Sequence, residues 1–326
     1  MKTKLNIKPF DEFWINCTFN GLFSIMCTLD NSYADLAYMN CYSYFIEGEV
    51  LKGLKVKNDS EIYDSVMRSH VAHIPYKLKH LSDDELLTSI VRLLDKYHLM
   101  IGVDLYYWIP NSFCWKKYHW VHYSIVNEFD DETNSFIVLD ESLAGYGVYR
   151  IPPERMLLAM RKCNLEKDGY ILMLNEAVSK YELNISSIFN NAYRLQEEVK
   201  SFMGTDEIWN YSEYDVHEGN KFDLFSMYAF QISNRQKANT ILTKRLYESG
   251  IIRHDDHNVI CDSFADITRG WDQIKALFLK GNLTSPKTLN MYKIREIKDS
   301  LLKKESEVWK KLAASRLSEH DTIVSR

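Results

Sequence analysis

Cysteine pairs and cysteine clusters are missing from this chain of 326 residues. None of its six cysteines stands in a C-x-x-C motif or has a histidine at the spacing of a zinc site. We therefore expect neither a disulfide framework nor a structural metal. The sequence also lacks a run of roughly 18 uncharged apolar residues, which a membrane-spanning helix requires, and its first residues lack the apolar core of a signal peptide. We expect a cytoplasmic protein with no membrane partner.

An excess of charge of one sign is missing as well. The chain has 40 basic and 45 acidic residues and a net charge of −5, so its composition does not favour nucleic acid as a partner. It contains no internal repeat and no low-complexity segment. Hydrophobic residues make up 46% and aromatic residues 13%, which is enough for the core of one large domain or two medium ones.

The hydrophobic periodicity divides the chain into two regions. Helix and strand patterns alternate in the first region, whereas only helical patterns follow beyond about residue 180. Those helices are predicted near residues 183–203, 222–248, 258–280 and 287–316. We therefore predict an α+β first domain over residues 1–178 and a helical second domain over residues 179–326.

Two helices of the first domain have clear starting signals. Asn16 is a good N-cap residue, and the apolar spacing over Cys17–Leu29 predicts a helix that is buried on one face. Ser82 and Glu85 form a capping box, which predicts a helix ending near His98. Between these two helices, residues 31–57 are predicted to form a second helix over residues 33–45, followed by a turn at Glu47-Gly48.

The strand patterns are concentrated after residue 99. The run LMIGVDLYYWIP is rich in β-forming residues and closes with a proline. A hairpin is predicted next, with arms VHYSIVNEF and SFIVLD joined by a polar turn at residues 130–134. A third arm at 147–151 leads into a helix that begins at two prolines, and a short strand near 169–175 ends the domain.

Three residues in this pattern are candidate catalytic groups. Cys17 falls in the first turn of a predicted helix, where the helix dipole favours thiolate and brings the thiol pKa below its free value of about 8.5. His122 begins one arm of the hairpin and Asp140 ends the other, so that the two strand ends are neighbours. The imidazole can act as a general base and the carboxylate can orient it.

Each of these residues taken alone also fits a structural role, as a buried thiol, an interfacial histidine or a turn aspartate. Three other cysteines of the first domain are poorer nucleophiles because they lie in apolar helical runs or in an aromatic loop. These are Cys27, Cys41 and Cys114.

The order of several short motifs is more specific than any one of them. Asn16-Cys17 before an apolar helix is followed by GVDLYYWIP, by His122-Tyr-Ser-Ile-Val, by an Asp-Asp turn and by Val-Leu-Asp140. This order resembles the butirosin-biosynthesis H protein family, a branch of the papain-like cysteine fold. The resemblance covers about residues 10–175 and extends more loosely to Ser233-Asn234-Arg235-Gln236. It implies a papain-like core with an antiparallel sheet and an N-terminal helix, followed by an all-helical C-terminal region.

The resemblance also implies an activity. An acyl group would arrive as a thioester on the phosphopantetheine arm of an acyl or peptidyl carrier protein, pass to Cys17 and be taken by a small amine. The product would be an amide in secondary-metabolite biosynthesis, such as that of an antibiotic. Cys17 would be the nucleophile, His122 the general base and acid, and Asp140 the orienting carboxylate, with no metal and no cofactor beyond the carrier's arm.

The oxyanion-binding group is an open point of this resemblance. Relatives of the fold often place a glutamine shortly before the cysteine, but this chain has Trp14-Ile15-Asn16 there. Asn16 or a backbone amide is therefore the candidate donor to the oxyanion.

Aromatic residues crowd the sequence before His122. They are expected to bind substrate and exclude water, unless they serve only as core and loop packing. The candidates are Tyr106, Trp108, Trp115 and Trp120. A basic run at residues 287–316 is either a solvated face or a docking surface for an acidic carrier protein. Two other functions stay open: a cysteine peptidase or amidase that uses the same three residues, and a non-catalytic binding protein of the same fold.

Overall fold

The computed structural model describes residues 6–47, 52–142, 145–175, 180–205, 208–209, 221–283 and 289–317. In chain order, the helices and strands of this part are α1 (Cys17–Leu29), α2 (Ala34–Tyr38), β1 (Tyr42–Glu47), β2 (Gly53–Asn58), α3 (Ser60–His70), β3 (Val71–Tyr76), α4 (Asp83–Leu94), β4 (His98–Asp104), β5 (Val121–Asp130), β6 (Ser135–Ser142), β7 (Gly145–Ile151), α5 (Pro153–Lys162), β8 (Gly169–Leu174), α6 (Ile185–Glu198), α7 (Lys221–Glu248), α8 (His254–Leu283) and α9 (Met291–Ala314). The fold is α+β, with an antiparallel sheet, helices, and an all-helical C-terminal region formed by α7, α8 and α9.

The chain divides into two compact units. One comprises Met1–Ala37 and Ser60–Glu182, and the other comprises Tyr38–Asp59 and Leu183–Arg326. The second unit thus includes the β1–β2 hairpin, from a segment that the periodicity assigns to the first domain.

The first unit is built on a six-stranded sheet with the strand order β3-β8-β4-β5-β6-β7, in which every neighbouring pair is antiparallel. Its core lies where α4 and α5 cover this sheet, because Ile90 and Met160 of these helices belong to the same buried cluster as Ile101, Val126 and Val138 of the strands. The predicted hairpin over residues 121–140 is confirmed as β5 and β6, and β6 continues two residues beyond Asp140.

Helix α1 begins and ends at the predicted residues. The Asn16 side chain caps it by accepting a hydrogen bond from the Phe19 amide at 2.8 Å. α1 packs against β5 and β6. Gly21 permits this close approach, because a Cβ atom there would lie 2.4 Å from Ile125 Cγ1. The helix therefore brings its first residue to the sheet.

The capping box of α4 is confirmed, since Ser82 and Glu85 exchange the two expected hydrogen bonds. The helix ends at Leu94, earlier than predicted, because the chain must turn before it enters the buried strand β4 at His98. The helix predicted to begin at the two prolines is also confirmed, as α5.

The helix predicted over residues 33–45 is wrong beyond Tyr38. Asn40 has a left-handed backbone conformation with φ of 46°, which ends the helix, and β1 begins at Tyr42. In β1 the alternate side chains of Tyr42 and Tyr44 are buried, and both hydroxyls donate to the carboxylate of Glu305 in α9, at 2.8 and 2.7 Å. A period of two and a partner from the distant helix decide the conformation of this segment.

The second unit consists of this hairpin together with α6 to α9, and the four predicted helices of this region are present. Its core contains large aromatic side chains, including the fully buried Trp271 and Trp309. Within the described ranges, none of the helices combines the length and the apolar character that crossing a membrane requires.

Candidate active site

The fold brings together the three residues that the sequence singles out. Cys17 is the first residue of α1, His122 is the second residue of β5, and Asp140 lies near the end of β6. One side-chain donor atom from each of them lies within 4.8 Å of the other two. The three groups required for cysteine-based acyl chemistry are therefore within mutual reach.

The imidazole and the carboxylate are joined directly. His122 Nε2 and Asp140 Oδ2 lie 3.0 Å apart, and Asp140 is only 1% exposed. Burial alone would raise the pKa of Asp140, but the His122 charge and hydrogen bond outweigh it and lower that pKa. Burial would likewise lower the pKa of His122, but Asp140 raises it above its ordinary value. Asp140 therefore stabilises the imidazolium that forms when His122 accepts a proton, and Nδ1 is the ring nitrogen left to serve the thiol.

Cys17 is held as a thiol in the resting site. Its Sγ donates a hydrogen bond to Glu141 Oε2 at 3.4 Å. Burial, followed by the negative charges of Glu141 and Asp140, raises the pKa of Cys17 well above its ordinary value. The expectation that the helix dipole lowers this pKa is wrong for the resting site, because burial and two nearby carboxylates outweigh the dipole. Removing the thiol proton thus requires His122.

Glu141 is the site residue that sequence reasoning missed. Asp140-Glu141-Ser142 has the composition of a turn, but β6 runs through all three residues and Glu141 pairs with Tyr146 of β7. Burial raises the pKa of Glu141 to about 7, despite the hydrogen bond from Cys17, which lowers it. The one signal in the sequence was a second carboxylate directly after the predicted orienting residue.

Trp108 has a defined contact within the site. It is fully buried and its indole Nε1 donates to Asp140 Oδ2 at 2.7 Å. The other carboxylate oxygen of Asp140, Oδ1, accepts a hydrogen bond from the Glu141 backbone amide at 2.8 Å. Trp108 therefore positions the carboxylate, whereas the sequence suggested that it contacts substrate.

The other aromatic candidates lie in the segment that leads to β5. Tyr106 stacks on His119 with a ring separation of 4.3 Å, and the guanidinium of Arg155 lies 5.2 Å from the centre of the Trp115 ring. Trp120 is 42% exposed. Substrate binding by Tyr106, Trp115 and Trp120 stays a prediction.

Asn16 stays a predicted oxyanion donor. Its side-chain oxygen is used in capping α1, so its amide nitrogen would be the group to meet an oxyanion. This nitrogen belongs to the residue before Cys17, and the backbone amide of Cys17 itself is the alternative donor.

A thiol, an imidazole and a carboxylate are also zinc ligands. The direct hydrogen bond between His122 and Asp140 is, however, the contact of a general acid–base pair. This bond occupies Nε2 and leaves Nδ1 as the ring nitrogen that can exchange a proton with the thiol. We therefore interpret the set as a nucleophile, a base and an orienting carboxylate.

No protein-family profile matches the chain, and none of the curated proteins does either. A thiol that passes its proton to an imidazole can attack a carbonyl carbon, and the resulting imidazolium can protonate the leaving group. This arrangement is suited to acyl transfer through a covalent intermediate on Cys17.

Proposed function

We propose that this protein is a cysteine-dependent acyltransferase with a papain-like core. It takes an acyl group from the phosphopantetheine thioester of an acyl or peptidyl carrier protein and transfers it through Cys17 to a small amine, in cytoplasmic secondary-metabolite biosynthesis. The observation that carries the proposal is the convergence of Cys17, His122 and Asp140, with the last two hydrogen-bonded at 3.0 Å.

In the first half-reaction His122 removes the thiol proton while Cys17 sulfur attacks the thioester carbonyl. The tetrahedral intermediate collapses, the bond to the donor sulfur breaks, and His122 returns the proton to the departing thiol. One thioester replaces another, so this step is nearly balanced in free energy and needs no ATP. Asp140 stabilises the imidazolium that forms between the two proton transfers.

In the second half-reaction an amine attacks the acyl group on Cys17. His122 takes a proton from the amine nitrogen and passes it to the Cys17 sulfur as the bond between carbon and sulfur breaks. Converting a thioester to an amide is downhill, so the protein must chiefly position the amine and keep water away. The aromatic segment before β5 is suited to that exclusion.

The test uses S-acetyl-N-acetylcysteamine, a small mimic of the carrier's thioester arm. Intact-mass analysis should show one added acetyl group on Cys17 and none on the Cys17→Ala variant, whereas the Cys27→Ala variant should be acetylated normally. Butylamine should then release the acetyl group as an amide faster than water releases it as acetate. Faster release to water would identify a hydrolase, that is, the cysteine peptidase or amidase alternative.

One observation favours a second candidate, a non-catalytic binding protein of the same fold. The resting thiol is protonated and hydrogen-bonded to Glu141. This state is typical of an unreactive cysteine as well as of a nucleophile that is activated only during the reaction. In that case neither the parent protein nor the variants would acquire an acetyl group in the same experiment.

A further inference from the structure

We propose that Glu141 is a further catalytic residue, whose protonated carboxyl group donates a hydrogen bond to the carbonyl oxygen of an acyl group on Cys17. This assignment deepens the proposed function and rests on it. It supplies the oxyanion donor that a glutamine before the cysteine would provide in relatives of the fold.

Distance is the first argument. Glu141 Oε2 lies 3.4 Å from Cys17 Sγ. When the sulfur carries an acyl group, the carbonyl oxygen is only two covalent bonds from that sulfur. A donor that already contacts Sγ is therefore within hydrogen-bonding reach of the oxygen on which negative charge develops.

The framework that holds Glu141 is the second argument. Glu141 and Tyr146 are register partners in β6 and β7, so their side chains leave the same face of the sheet. Tyr146 is 7% exposed, and its hydroxyl lies 3.1 Å from where a Cβ atom of Gly21 would be. Gly21 follows Cys17 by one helical turn, so this face of the strand pair meets the face of α1 that bears the nucleophile.

Protonation is the third argument. Burial raises the pKa of Glu141 to about 7, so a neutral carboxyl group is available near neutral pH. A neutral carboxyl can donate a hydrogen bond, whereas an ionised one can only accept. The titratable or polar groups around it are Cys17 and Trp14 in and before α1, His122 in β5, Asp140 beside it, Tyr146 in β7 and Cys114.

The two protonation states of Glu141 therefore have opposite effects. The neutral form donates to the oxygen while the bond from Cys17 to the carbonyl carbon forms, and it keeps its own proton throughout. His122 carries the proton that leaves the thiol and returns it to the departing thiol. The ionised form of Glu141 accepts a hydrogen bond from the Cys17 thiol, and its negative charge repels both a thiolate and an oxyanion.

Glu141→Ala and Glu141→Gln separate these effects, with the exposed Glu128→Gln as a matched control. The rate of Cys17 acetylation by S-acetyl-N-acetylcysteamine is measured from pH 6 to pH 9, beside the rate of alkylation by iodoacetamide, which forms no oxyanion. The alanine variant should acetylate about 10²- to 10³-fold more slowly and should alkylate at least as fast as the parent.

The glutamine variant keeps a neutral donor at every pH. It should acetylate within about tenfold of the parent at pH 6 and should lose the decline that the parent shows above pH 7. Equal acetylation rates and pH profiles in all variants would overturn the assignment. A glutamine variant that acetylates as slowly as the alanine variant would also overturn it, because a neutral hydrogen-bond donor at this position would then not restore the rate.

A second probe tests the donor without acyl transfer. ¹³C-labelled acetaldehyde adds to a thiol to form a hemithioacetal, whose oxygen occupies the position of the oxyanion. Adduct formation on Cys17 should weaken in Glu141→Ala and persist in Glu141→Gln, and equal adduct formation in both would refute the donor role. If this order holds while no amide forms from butylamine, the proposed function fails and the role of Glu141 stands.

Discussion

Each of the two units buries a carboxylate, and the two environments act on its charge in opposite ways. Asp140 in the first unit is paired with His122, whose positive charge lowers the Asp140 pKa although burial opposes this. Glu305 in the second unit accepts hydrogen bonds from the hydroxyls of Tyr42 and Tyr44. Burial raises the pKa of Glu305, and these neutral donors lower it by less. The pKa of one buried carboxyl group is lowered and that of the other is raised.

The difference separates a reactive site from a structural one. The buried Asp140 carboxylate stabilises the positive charge that His122 carries while it holds a proton between two transfers, and catalysis requires this. The carboxyl group of Glu305, surrounded by hydroxyl and indole donors, instead fixes strand β1 to helix α9. Glu141 combines both situations, because it is a largely desolvated acid placed against a nucleophile.

The largest effect is expected from Asp140→Asn. An amide cannot stabilise the imidazolium and can hold the wrong tautomer of His122, so Cys17 acetylation should fall about 10³- to 10⁴-fold. Glu305→Gln is the matched change at the other buried carboxylate and should leave the acetylation rate within about twofold. Equal losses in both variants would mean that the two carboxylates do not differ in their effect on catalysis.

Glu305→Ala should have the next largest effect, on stability. Removing the carboxyl group leaves the hydroxyls of Tyr42 and Tyr44 buried without their acceptor, at about 1–3 kcal/mol for each. Unfolding by urea should show a loss of about 2–5 kcal/mol, compared with less than about 0.5 kcal/mol for the exposed Glu307→Ala. A loss of unfolding free energy as small as that of Glu307→Ala would show that other contacts suffice to hold β1 in place.

Trp108→Phe should reduce activity while keeping the fold. It removes the indole donor to Asp140, a hydrogen bond to a charged group worth about 1.5–3 kcal/mol, so acetylation should slow roughly 10- to 100-fold. The acidic limb of the pH profile should move to higher pH, because a carboxylate with one fewer donor stabilises the imidazolium more. A role in packing alone would leave that limb in place.

Trp271→Phe is the control for this change. It also alters a fully buried indole, whose N–H has no hydrogen-bond partner among the described residues. Its acetylation rate and its pH profile should both match those of the parent protein.

The smallest effect is the pH dependence of stability. The raised pKa of Glu305 means that the folded protein binds a proton more tightly than the unfolded chain, so stability falls as pH rises above about 4.3, the unfolded value. The lowered pKa of Asp140 has the opposite sign, and its contribution is lost as pH falls below about 3.9. As pH rises above about 4.3, the urea midpoint of Glu305→Gln should decline less than that of the parent protein. Equal declines in the two proteins would contradict a raised pKa for Glu305.

The parts of the structure that could be predicted are those set by neighbours in sequence. An N-cap before a periodic apolar run defined α1, and a polar turn between two β-rich arms defined β5 and β6. These two local features fix the places of Cys17, His122 and Asp140. The candidate site was therefore largely accessible from sequence.

The parts that could not be predicted depend on distant partners. The sequence predicts a helix that continues through Tyr42 and Tyr44, whereas both hydroxyls are bound by Glu305, which lies 263 residues beyond Tyr42. Glu141 has the composition of a turn until β7 pairs with it. The raised pKa of Cys17 likewise comes from burial and from carboxylates that lie more than a hundred positions away in the chain.

The second unit is assembled from two separate stretches, Tyr38–Asp59 and Leu183–Arg326. A ribosome adding roughly 5–20 residues per second needs on the order of tens of seconds to advance from Tyr42 to Glu305. During this interval β1 and β2 emerge as an isolated two-stranded ribbon, which is marginally stable by itself. Translation therefore delays closure of this unit until α9 has been made, and until then the ribbon lacks the carboxyl group that binds its two tyrosines.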